Sequence, residues 1–166
     1  ATASPRSEVT LTVTDSYRTN PSDGAPGRSP AWVVIRDVGP RDGLQPEAPV
    51  AVDDRVRLVD ALVAAGVSRL EVAAFVSPKA VPAMAGAAEV VAAVGRPNGV
   101  RVAALVPNVR GAQAALAVGV DELTVTLSAS EEYNQRNVHM TTADSEAQIA
   151  EIVALAGQAS APDGGP

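Results

Sequence analysis

The sequence contains no cysteine, which excludes disulfide frameworks, thiolate nucleophiles and cysteine-ligated zinc or iron–sulfur sites. Aromatic residues make up only 2% of the chain, so a hydrophobic core must be built from Ala, Val, Leu and Ile. Lysine occurs once, at Lys79, and 13 basic residues are outnumbered by 19 acidic ones. The net charge of −6 predicts no nucleic-acid partner and no anionic membrane surface, because both attract clustered basic residues.

Long apolar runs are also absent. Arg, Asp or Glu interrupts every run before the roughly 18–20 residues that a membrane span requires, and no charged leader precedes an apolar stretch near the first residue. We therefore expect a cytoplasmic protein with no membrane partner. With 166 residues, 46% of them apolar and 19% charged, the chain has the size and composition of one domain or part of a larger one.

The two ends of the chain differ in composition from its middle. Residues 1–30 are rich in Ser, Thr, Pro, Gly and Asp and predict a mostly disordered leader, in which the alternation over residues 8–15 leaves a short strand open. Residues 159–166 predict a disordered tail. The folded domain is therefore expected to cover residues 31–158.

Between these ends, short apolar runs alternate with segments of helical periodicity, which is typical of βα units and a parallel sheet. Asp53 is a good N-cap for the first helix, and glycines follow the helical segments. The predicted strands cover residues 32–35, 69–74, 101–106 and 122–127, and the predicted helices about 53–65, 80–94, 109–118 and 141–156. This α/β pattern of about four units is half of a TIM (β/α)8 barrel, although periodicity alone does not exclude a doubly wound sheet.

Functional groups of such folds lie at the carboxyl ends of the strands. Arg41 and Asp42 follow the first predicted strand, in a turn punctuated by Gly and Pro. A carboxylate there can ligate a hard divalent cation, and a guanidinium can stabilise a developing oxyanion. The same pair also fits an ordinary surface turn with a local salt bridge.

Glu71 is a carboxylate inside an otherwise apolar predicted strand. A carboxylate is rarely buried without a partner, because leaving water costs a charged group a large solvation free energy. Glu71 therefore lies either at an exposed edge or in a polar site, where it would pair with Arg41 or with a metal-bound water.

Polar residues after the later strands are weaker candidates. The segment 128–137 is predicted as a long loop whose polar side chains either bind substrate or only solvate the loop. Lys79 and Arg110 either contact an anionic group or are solubilising. His139 is expected to be solvated or to cap a helix.

Several motifs follow one another in register along the chain. They are Val-Gly-Pro-Arg-Asp-Gly-Leu-Gln at residues 38–45, Leu-Glu-Val-Ala-Ala-Phe-Val-Ser-Pro-Lys at 70–79, Pro-Asn at 107–108 and Ser-Ala-Ser-Glu at 128–131, with Asn137 beyond them. Over about residues 33–155 the sequence thereby resembles hydroxymethylglutaryl-CoA lyase. The related acetyl-CoA-dependent 2-oxo acid synthases usually carry Glu-Gln after Arg-Asp-Gly, whereas Leu44 and Gln45 follow here and favour the lyase branch.

The resemblance implies a TIM-barrel lyase that cleaves 3-hydroxy-3-methylglutaryl-CoA to acetyl-CoA and acetoacetate with the help of Mg²⁺ or Mn²⁺. It implies Asp42 as a metal ligand and Arg41 as the group that stabilises the enolate oxygen. It also implies that the polar site is organised by Glu71 and Gln45. An acyl-CoA is the implied substrate, and the residues expected to bind it are Asn108, Ser130 and Asn137.

The sequence departs from the family pattern in two respects. Asp37 and Ala74 stand where the family often has Glu and a hydroxyl residue. The family's His-x-His metal ligands and its loop cysteine have no counterpart, since His139 is the only histidine. We therefore expect the N-terminal half of a barrel of about 250 residues, inactive alone and either joined by a complementing C-terminal half or self-associated as a homo-oligomer. A non-catalytic binding or assembly module and a 2-oxo acid synthase are the alternatives.

Overall fold

Parallel strands form one sheet in the computed structural model, which describes Thr10–Leu11 and residues 34–160. The sheet contains β1 (Thr10–Leu11), β2 (Arg69–Ala74), β3 (Arg101–Leu105) and β4 (Glu122–Thr124), in the order β1-β4-β3-β2. Every pairing is parallel. The expected α/β architecture with parallel strands is therefore confirmed.

Helices follow the strands along the chain. They are α1 (Val52–Ala64), α2 (Ala87–Val94), α3 (Val109–Ala117), α4 (Glu131–Val138) and α5 (Thr142–Ser160). None of the helices in the described part of the chain is long and apolar enough to cross a membrane. Gly66 and Gly119 follow α1 and α3 with φ of +93° and +84°, a backbone conformation that strongly favours glycine, so both predicted helix ends are confirmed.

The hydrophobic core lies between the sheet and the helices. Side chains alternate along a strand, so Leu70 and Val72 of β2 share one face while Glu71 lies on the other. The same alternation buries Leu123 of β4 between two polar residues of that strand. The core also contains these small and branched side chains: Val59, Val91, Val102, Ala104, Val106, Ala112, Ala115, Val120, Ile152 and Ala156. One face of the sheet is thus apolar and covered by helices, while the other carries charged residues.

The first predicted strand, over residues 32–35, is wrong in its described part. Val34 and Ile35 belong to no strand, and the only ladder contact near them in the described chain is a bridge between Asp37 and Leu70. In that bridge Asp37 N donates to Arg69 O and Glu71 N donates to Asp37 O, both at 2.9 Å. With Asp37 opposite Leu70, the parallel partners of Val34 and Ile35 would lie before Arg69, where β2 begins, so these two residues have no strand beside them. A π-type turn over Gly39–Gly43 stops the ladder on the other side of the bridge.

Two helix predictions need correction as well. Asp53 is not an N-cap, because α1 begins one residue earlier and Ala51 occupies the cap position without a side-chain hydrogen bond. The helix predicted over residues 80–94 is split into a 3₁₀ turn (Pro82–Met84) and α2. Gly86 lies between them with a φ of +73°, which breaks the helical path.

The segment predicted as a long loop, residues 128–137, is largely helical. Ser130 Oγ accepts a hydrogen bond from Tyr133 N at 3.3 Å and caps α4. Two acidic residues in the first turn and Arg136 in the last complement the helix dipole. The polar residues of this segment are therefore a helix-start signal, although they were predicted to belong to a loop.

Two further boundaries differ from the predictions. β4 ends at Thr124 rather than near residue 127, because its partner β3 ends at Leu105 and is soon followed by Pro107. Helix α5 continues past Gly157 into the first residues of the predicted tail. Within the predicted leader, two of the residues of the possible strand form β1 beside β4; the rest of the leader and residues 161–166 lie outside the described residues.

Candidate active site

The turn after Asp37 places two charged side chains beside β2. Val38 O accepts hydrogen bonds from Arg41 N at 3.1 Å and from Asp42 N at 2.7 Å. The carboxylate of Asp37 accepts from Gly39 N at 2.8 Å and holds the start of the turn. The backbone of this short segment therefore determines where the Arg41 and Asp42 side chains begin.

Arg41 and Glu71 form an ion pair on the charged face of the sheet. Arg41 Nε donates to Glu71 Oε1 at 2.5 Å, and Glu71 is only 1% exposed. A charge-assisted hydrogen bond of this kind is stronger than one between neutral groups, and it provides the partner that a buried carboxylate needs. The exposed-edge interpretation of Glu71 is wrong, because the Asp37 bridge continues the sheet beyond β2.

Asp42 and Gln45 complete the surroundings of the Arg41 guanidinium. Arg41 Nη1 donates to Asp42 Oδ1 at 2.6 Å and makes a long contact of 3.5 Å with Gln45 Oε1. The Asp42 side chain is 61% exposed, so its second oxygen faces solvent. Arg41 Nη2 has no hydrogen-bond partner among the described residues, which leaves two N–H donors available to an incoming oxygen. The predicted residues Arg41, Asp42, Gln45 and Glu71 are therefore together at one place.

Thr124 also belongs to this site, and the sequence analysis missed it. Its hydroxyl donates to Glu71 Oε2 at 2.6 Å and accepts from Arg36 Nη1 at 3.3 Å. Thr124 ends β4, so a hydroxyl at a strand end was the available signal. It was not recognised because the predicted strand continued to residue 127, which placed Thr124 inside the strand and not at its end.

Glu122, at the start of β4, is a second buried carboxylate that the sequence analysis passed over. Arg36 Nη2 is ion-paired with its Oε2, while Arg69 Nη1 and Arg101 Nε donate to its Oε1 at 3.0 and 2.9 Å. Glu122 opens a strand in which polar and apolar residues alternate, so its carboxylate is less conspicuous in the sequence than that of Glu71, which has apolar neighbours on both sides. This cluster and the Arg41 site meet through Arg36 and Thr124.

The predicted substrate-binding residues are not hydrogen-bonded to Arg41 or Glu71 in the described structure. Asn108 and Ser130 are N-caps, of α3 and α4, and Asn108 Oδ1 accepts from Gly111 N at 2.8 Å. Asn137 lines a surface cavity of about 320 Å³ together with Tyr133 and Arg136. Their role in substrate binding stays a prediction.

A larger cavity, of about 680 Å³, opens between the segment after β2 and the starts of α2 and α3. Asn108 lies in its wall, as do the two basic residues Lys79 and Arg110. The acidic Glu89 also lies in this wall, so the two basic residues and the one carboxylate leave the cavity lining with a small net positive charge in an otherwise acidic protein.

Two groups outside the Arg41 site have shifted pKa values. Hydrogen bonds from the backbone and hydroxyl of Thr142 lower the pKa of the exposed Glu131 carboxyl, and Gln135 adds a smaller effect. Desolvation lowers the pKa of Arg55, which is 1% exposed and donates from Nη1 to Ala85 O at 2.8 Å.

The described residues offer limited ligation for a metal. They contain no group of three or more His, Cys, Asp or Glu side chains placed to hold one. Asp42 supplies one hard oxygen ligand with a solvent-facing side, which suits Mg²⁺, since this ion commonly binds one or two carboxylates, several waters and the substrate. Asp42 therefore fits as one ligand of such an ion, not as a complete site.

The parallel sheet and the buried Arg–Glu pair beside it define an α/β protein with a candidate site for anionic oxygen. The HMGL-like family profile matches residues 32–161, and the chain belongs to this family. A "3-hydroxy-3-isohexenylglutaryl-CoA/hydroxy-methylglutaryl-CoA lyase" of Pseudomonas aeruginosa is 48% identical over 130 residues, covering 78% of this chain and 43% of the relative. The cytoplasmic 3-hydroxy-3-methylglutaryl-CoA lyase of Mus musculus is 38% identical over 76% of this chain and 37% of its own length.

Solved structures agree with these relatives. The crystal structure of hydroxymethylglutaryl-CoA lyase from Pseudomonas aeruginosa matches with a TM-score of 0.71 and 49% identity, over 75% of this chain and 42% of that one. A lyase of this type from Acinetobacter baumannii, solved with coenzyme A and 3-methylmalate, matches with a TM-score of 0.71 and 40% identity, over 74% of this chain and 40% of that one. The resemblance read from the motifs is confirmed, and the chain spans about two-fifths of the length of the relatives it matches.

Proposed function

We propose that this chain takes part in cleaving 3-hydroxy-3-methylglutaryl-CoA to acetyl-CoA and acetoacetate. The observation that carries the proposal is the Arg41 guanidinium, which is held by buried Glu71 and retains free N–H donors, in a chain of the HMGL-like family. We propose carbon–carbon bond cleavage as the reaction at this site and an acyl-CoA as the class of substrate.

Arg41 fits the developing charge of this reaction. The C3 hydroxyl of the substrate loses its proton, the C2–C3 bond breaks, and its electron pair moves into the acetyl thioester as an enolate. The C3 carbon becomes the ketone of acetoacetate, and protonation of the enolate carbon yields acetyl-CoA. The Nη2 donors of Arg41 are the groups that would stabilise the enolate oxygen, since they are preorganised by the Nε bond to Glu71.

Glu71 and Gln45 orient the guanidinium in this proposal. Glu71 holds Nε from the buried side, and Gln45 and Asp42 lie against Nη1 from the exposed side. Fixing both edges of a planar guanidinium limits its rotation, so less orientational freedom is lost when substrate binds.

A divalent cation, Mg²⁺ or Mn²⁺, is part of the proposal. Asp42 would be its protein ligand among the described residues, because its carboxylate is exposed beside Arg41. Such an ion supplies Lewis acidity that eases loss of the hydroxyl proton near neutral pH. Further ligands would come from water, substrate or other protein residues.

Asn108, Ser130 and Asn137 are proposed to contact the acyl-CoA. The two N-caps each use an oxygen to accept a backbone N–H, which leaves Asn108 Nδ2 and the Ser130 hydroxyl proton to donate. Lys79 and Arg110 beside Asn108 are suited to a phosphate of the coenzyme. We propose a cytoplasmic location, in line with the expectation from composition.

The test is release of acetoacetate from 3-hydroxy-3-methylglutaryl-CoA with Mg²⁺ or Mn²⁺. Arg41→Gln should lower turnover by about 10²–10³-fold, the usual loss when one oxyanion donor is removed. Arg57→Gln is the matched control, because Arg57 is a 76% exposed arginine of α1 paired only with Asp54 among the described residues. Measurable acetoacetate release that is equal for the Arg41→Gln variant and the unmodified chain would contradict the proposal.

Two further substrates belong in the same assay. The name of the Pseudomonas aeruginosa relative includes a longer, isohexenyl-bearing acyl-CoA, so cleavage of that substrate should be measured in parallel. Condensation of acetyl-CoA with a 2-oxo acid tests the synthase alternative. Condensation without cleavage would assign the chain to synthase chemistry instead.

A non-catalytic half-barrel module is the second candidate. It is favoured by the absence of a complete metal-ligand group within the described residues. Such a module would bind acyl-CoA or a second polypeptide, either another copy or a complementing half barrel, without turnover. Binding of coenzyme A by calorimetry, with no acetoacetate released in any of the assays above, would support it.

A further inference from the structure

A chain of hydrogen bonds crosses the charged face of the sheet and ends at Arg41. Arg36 Nη1 donates to Thr124 Oγ1 at 3.3 Å, Thr124 donates to Glu71 Oε2 at 2.6 Å, and Arg41 Nε donates to Glu71 Oε1 at 2.5 Å. Arg36 is itself ion-paired with the buried Glu122. Thr124 is thus the only uncharged link between two charged clusters in the described chain.

The chemistry of the four groups determines the direction of every bond. A guanidinium has donors and no acceptor, so the Arg36 contact must use a lone pair of the Thr124 oxygen. The single hydroxyl proton of Thr124 is then directed to Glu71, which as a carboxylate can only accept. Thr124 therefore cannot exchange its donor and acceptor roles without losing one of its two bonds.

The sheet register explains how β4 reaches a residue of β2. Ala103 of β3 lies between these strands and pairs in register with both Glu71 and Glu122. Its methyl group leaves space above the middle strand, and Ala103 is 1% exposed. Side chains from alternate strands can meet over it, as they do in the layers of a TIM-barrel interior.

Thr124 occupies the one carboxylate oxygen of Glu71 that Arg41 leaves free. Glu71 is 1% exposed, so this oxygen would otherwise be buried and left with an unmet need for a donor. With both oxygens held, the carboxylate plane has one orientation, and that orientation directs Oε1 at Arg41 Nε.

We propose that Thr124 is a positioning residue whose hydroxyl, oriented by Arg36, fixes the Glu71 carboxylate and through it the Arg41 guanidinium. The inference rests on the proposed function only for its effect on turnover. The geometric part concerns the Arg41–Glu71 bond and holds for whatever oxygen Arg41 binds.

Thr124→Val and Thr124→Ser form the matched pair of variants. Valine keeps the branched shape and removes the hydroxyl, whereas serine keeps the hydroxyl and removes a methyl group. Thr124→Ala also removes the hydroxyl, and its smaller side chain cannot clash with its neighbours. It therefore tests the loss of the hydroxyl independently of any steric effect of valine. Urea unfolding of each variant identifies any general loss of structure.

The first readout is the NMR signal of the Arg41 Nε–H group, assigned by its disappearance in Arg41→Lys. A proton bonded to a carboxylate is shielded from solvent exchange, so the signal should persist in the unmodified chain and in Thr124→Ser. It should broaden or shift in Thr124→Val and Thr124→Ala. An unchanged signal in both of these variants, or its loss in Thr124→Ser as well, would overturn the inference.

The second readout is the split between kcat and KM for cleavage of 3-hydroxy-3-methylglutaryl-CoA. Thr124→Val should lower kcat by about 10²-fold with little change in KM, because a small misplacement of a catalytic group has an effect of this size. Thr124→Ser should restore most of kcat. If the unmodified chain has no lyase activity, the proposed function fails for this chain while the Arg41 signal still decides the role of Thr124.

Discussion

Glu71 and Glu122 are two buried carboxylates on the same face of the sheet, and they are bound in different ways. Each is 1% exposed. Glu122, at the start of β4, is surrounded by Arg36, Arg69 and Arg101. Glu71, within β2, is held by one arginine and one hydroxyl.

The two clusters differ in the number of donors around the carboxylate and in the donors that the arginines keep. Around Glu122, three guanidinium groups share one carboxylate, so both of its oxygens are bound by charged donors. Around Glu71, the arginine keeps Nη2 without a hydrogen-bond partner among the described residues, while its Nη1 is bonded to the exposed Asp42. Ala103 pairs in register with both Glu71 and Glu122, so the two carboxylates lie at the same level of the sheet. They differ in their partners and not in their position along the strands.

The largest effect on stability is expected for Glu122→Gln. Removing the charge leaves three arginines without their common counter-ion, and breaking such a buried pair costs about 3 kcal/mol, at the low end of its range because the arginines are partly exposed. Urea unfolding followed by circular dichroism measures the change. A loss of unfolding free energy no larger than that of Arg57→Gln, which breaks an exposed ion pair, would show that Glu122 does not stabilise the fold more than a surface carboxylate does.

Glu71→Gln is expected to affect turnover more than the stability of the fold. Turnover should fall by about 10–100-fold, as is usual when a group that orients a catalytic residue is replaced. The free energy of unfolding should fall by about 1–3 kcal/mol, because glutamine retains one acceptor but offers no charge to Arg41. The acetoacetate assay and urea unfolding of the same preparation check both values. A variant that is unstable yet fully active per folded molecule would make Glu71 a purely structural residue.

The sequence predicted Glu71 and failed to predict Thr124, for a physical reason. A carboxylate in an apolar strand is conspicuous, because burying it alone is costly. Thr124 acquires its importance from a contact across β3, which depends on the register of three strands and on the small size of Ala103. Neither is readable from residues near Thr124 in the sequence.

Element types were predictable where the pattern was periodic, and boundaries were not. β2 was predicted over the residues it occupies, since its apolar run is bounded by Gly66 and by the Phe-Val-Ser-Pro segment. Helix α4 was missed because its residues are mostly polar, and its start depends on the Ser130 cap and on charges that favour the helix dipole. The motifs also implied that Arg41, Asp42, Gln45 and Glu71 share one site. The last three all contact the Arg41 guanidinium.

Gly111→Ala tests how tightly the chain is packed just beyond β2, the strand that carries Glu71. A Cβ at Gly111 would lie 2.8 Å from Phe75 O and 3.1 Å from Pro107 Cδ, so the backbone after β2 would have to shift. Such overpacking costs about 1–3 kcal/mol. Gly43→Ala is the control, since a Cβ there meets nothing within 4 Å. Equal urea midpoints for the two variants would show that this contact is loose.

The smallest effect expected is a pH dependence that involves Glu131 and neither buried carboxylate. Hydrogen bonds from Thr142 lower the pKa of Glu131 below its ordinary value of 4.5. A carboxyl whose pKa is lower in the folded state stabilises the fold above the unfolded value and loses that contribution as pH falls through the folded value. The urea midpoint should therefore be insensitive to pH near neutrality, where the Glu131 contribution is fully present, and decline below about 4.5, with a smaller decline in Glu131→Gln. Glu132→Gln is the matched control, because Glu132 is 82% exposed and pairs with Arg136 on the same helix. An identical acid dependence in the two variants would mean that the Thr142 bonds do not join α4 to α5 in solution, and the acid sensitivity would then have to originate elsewhere in the chain.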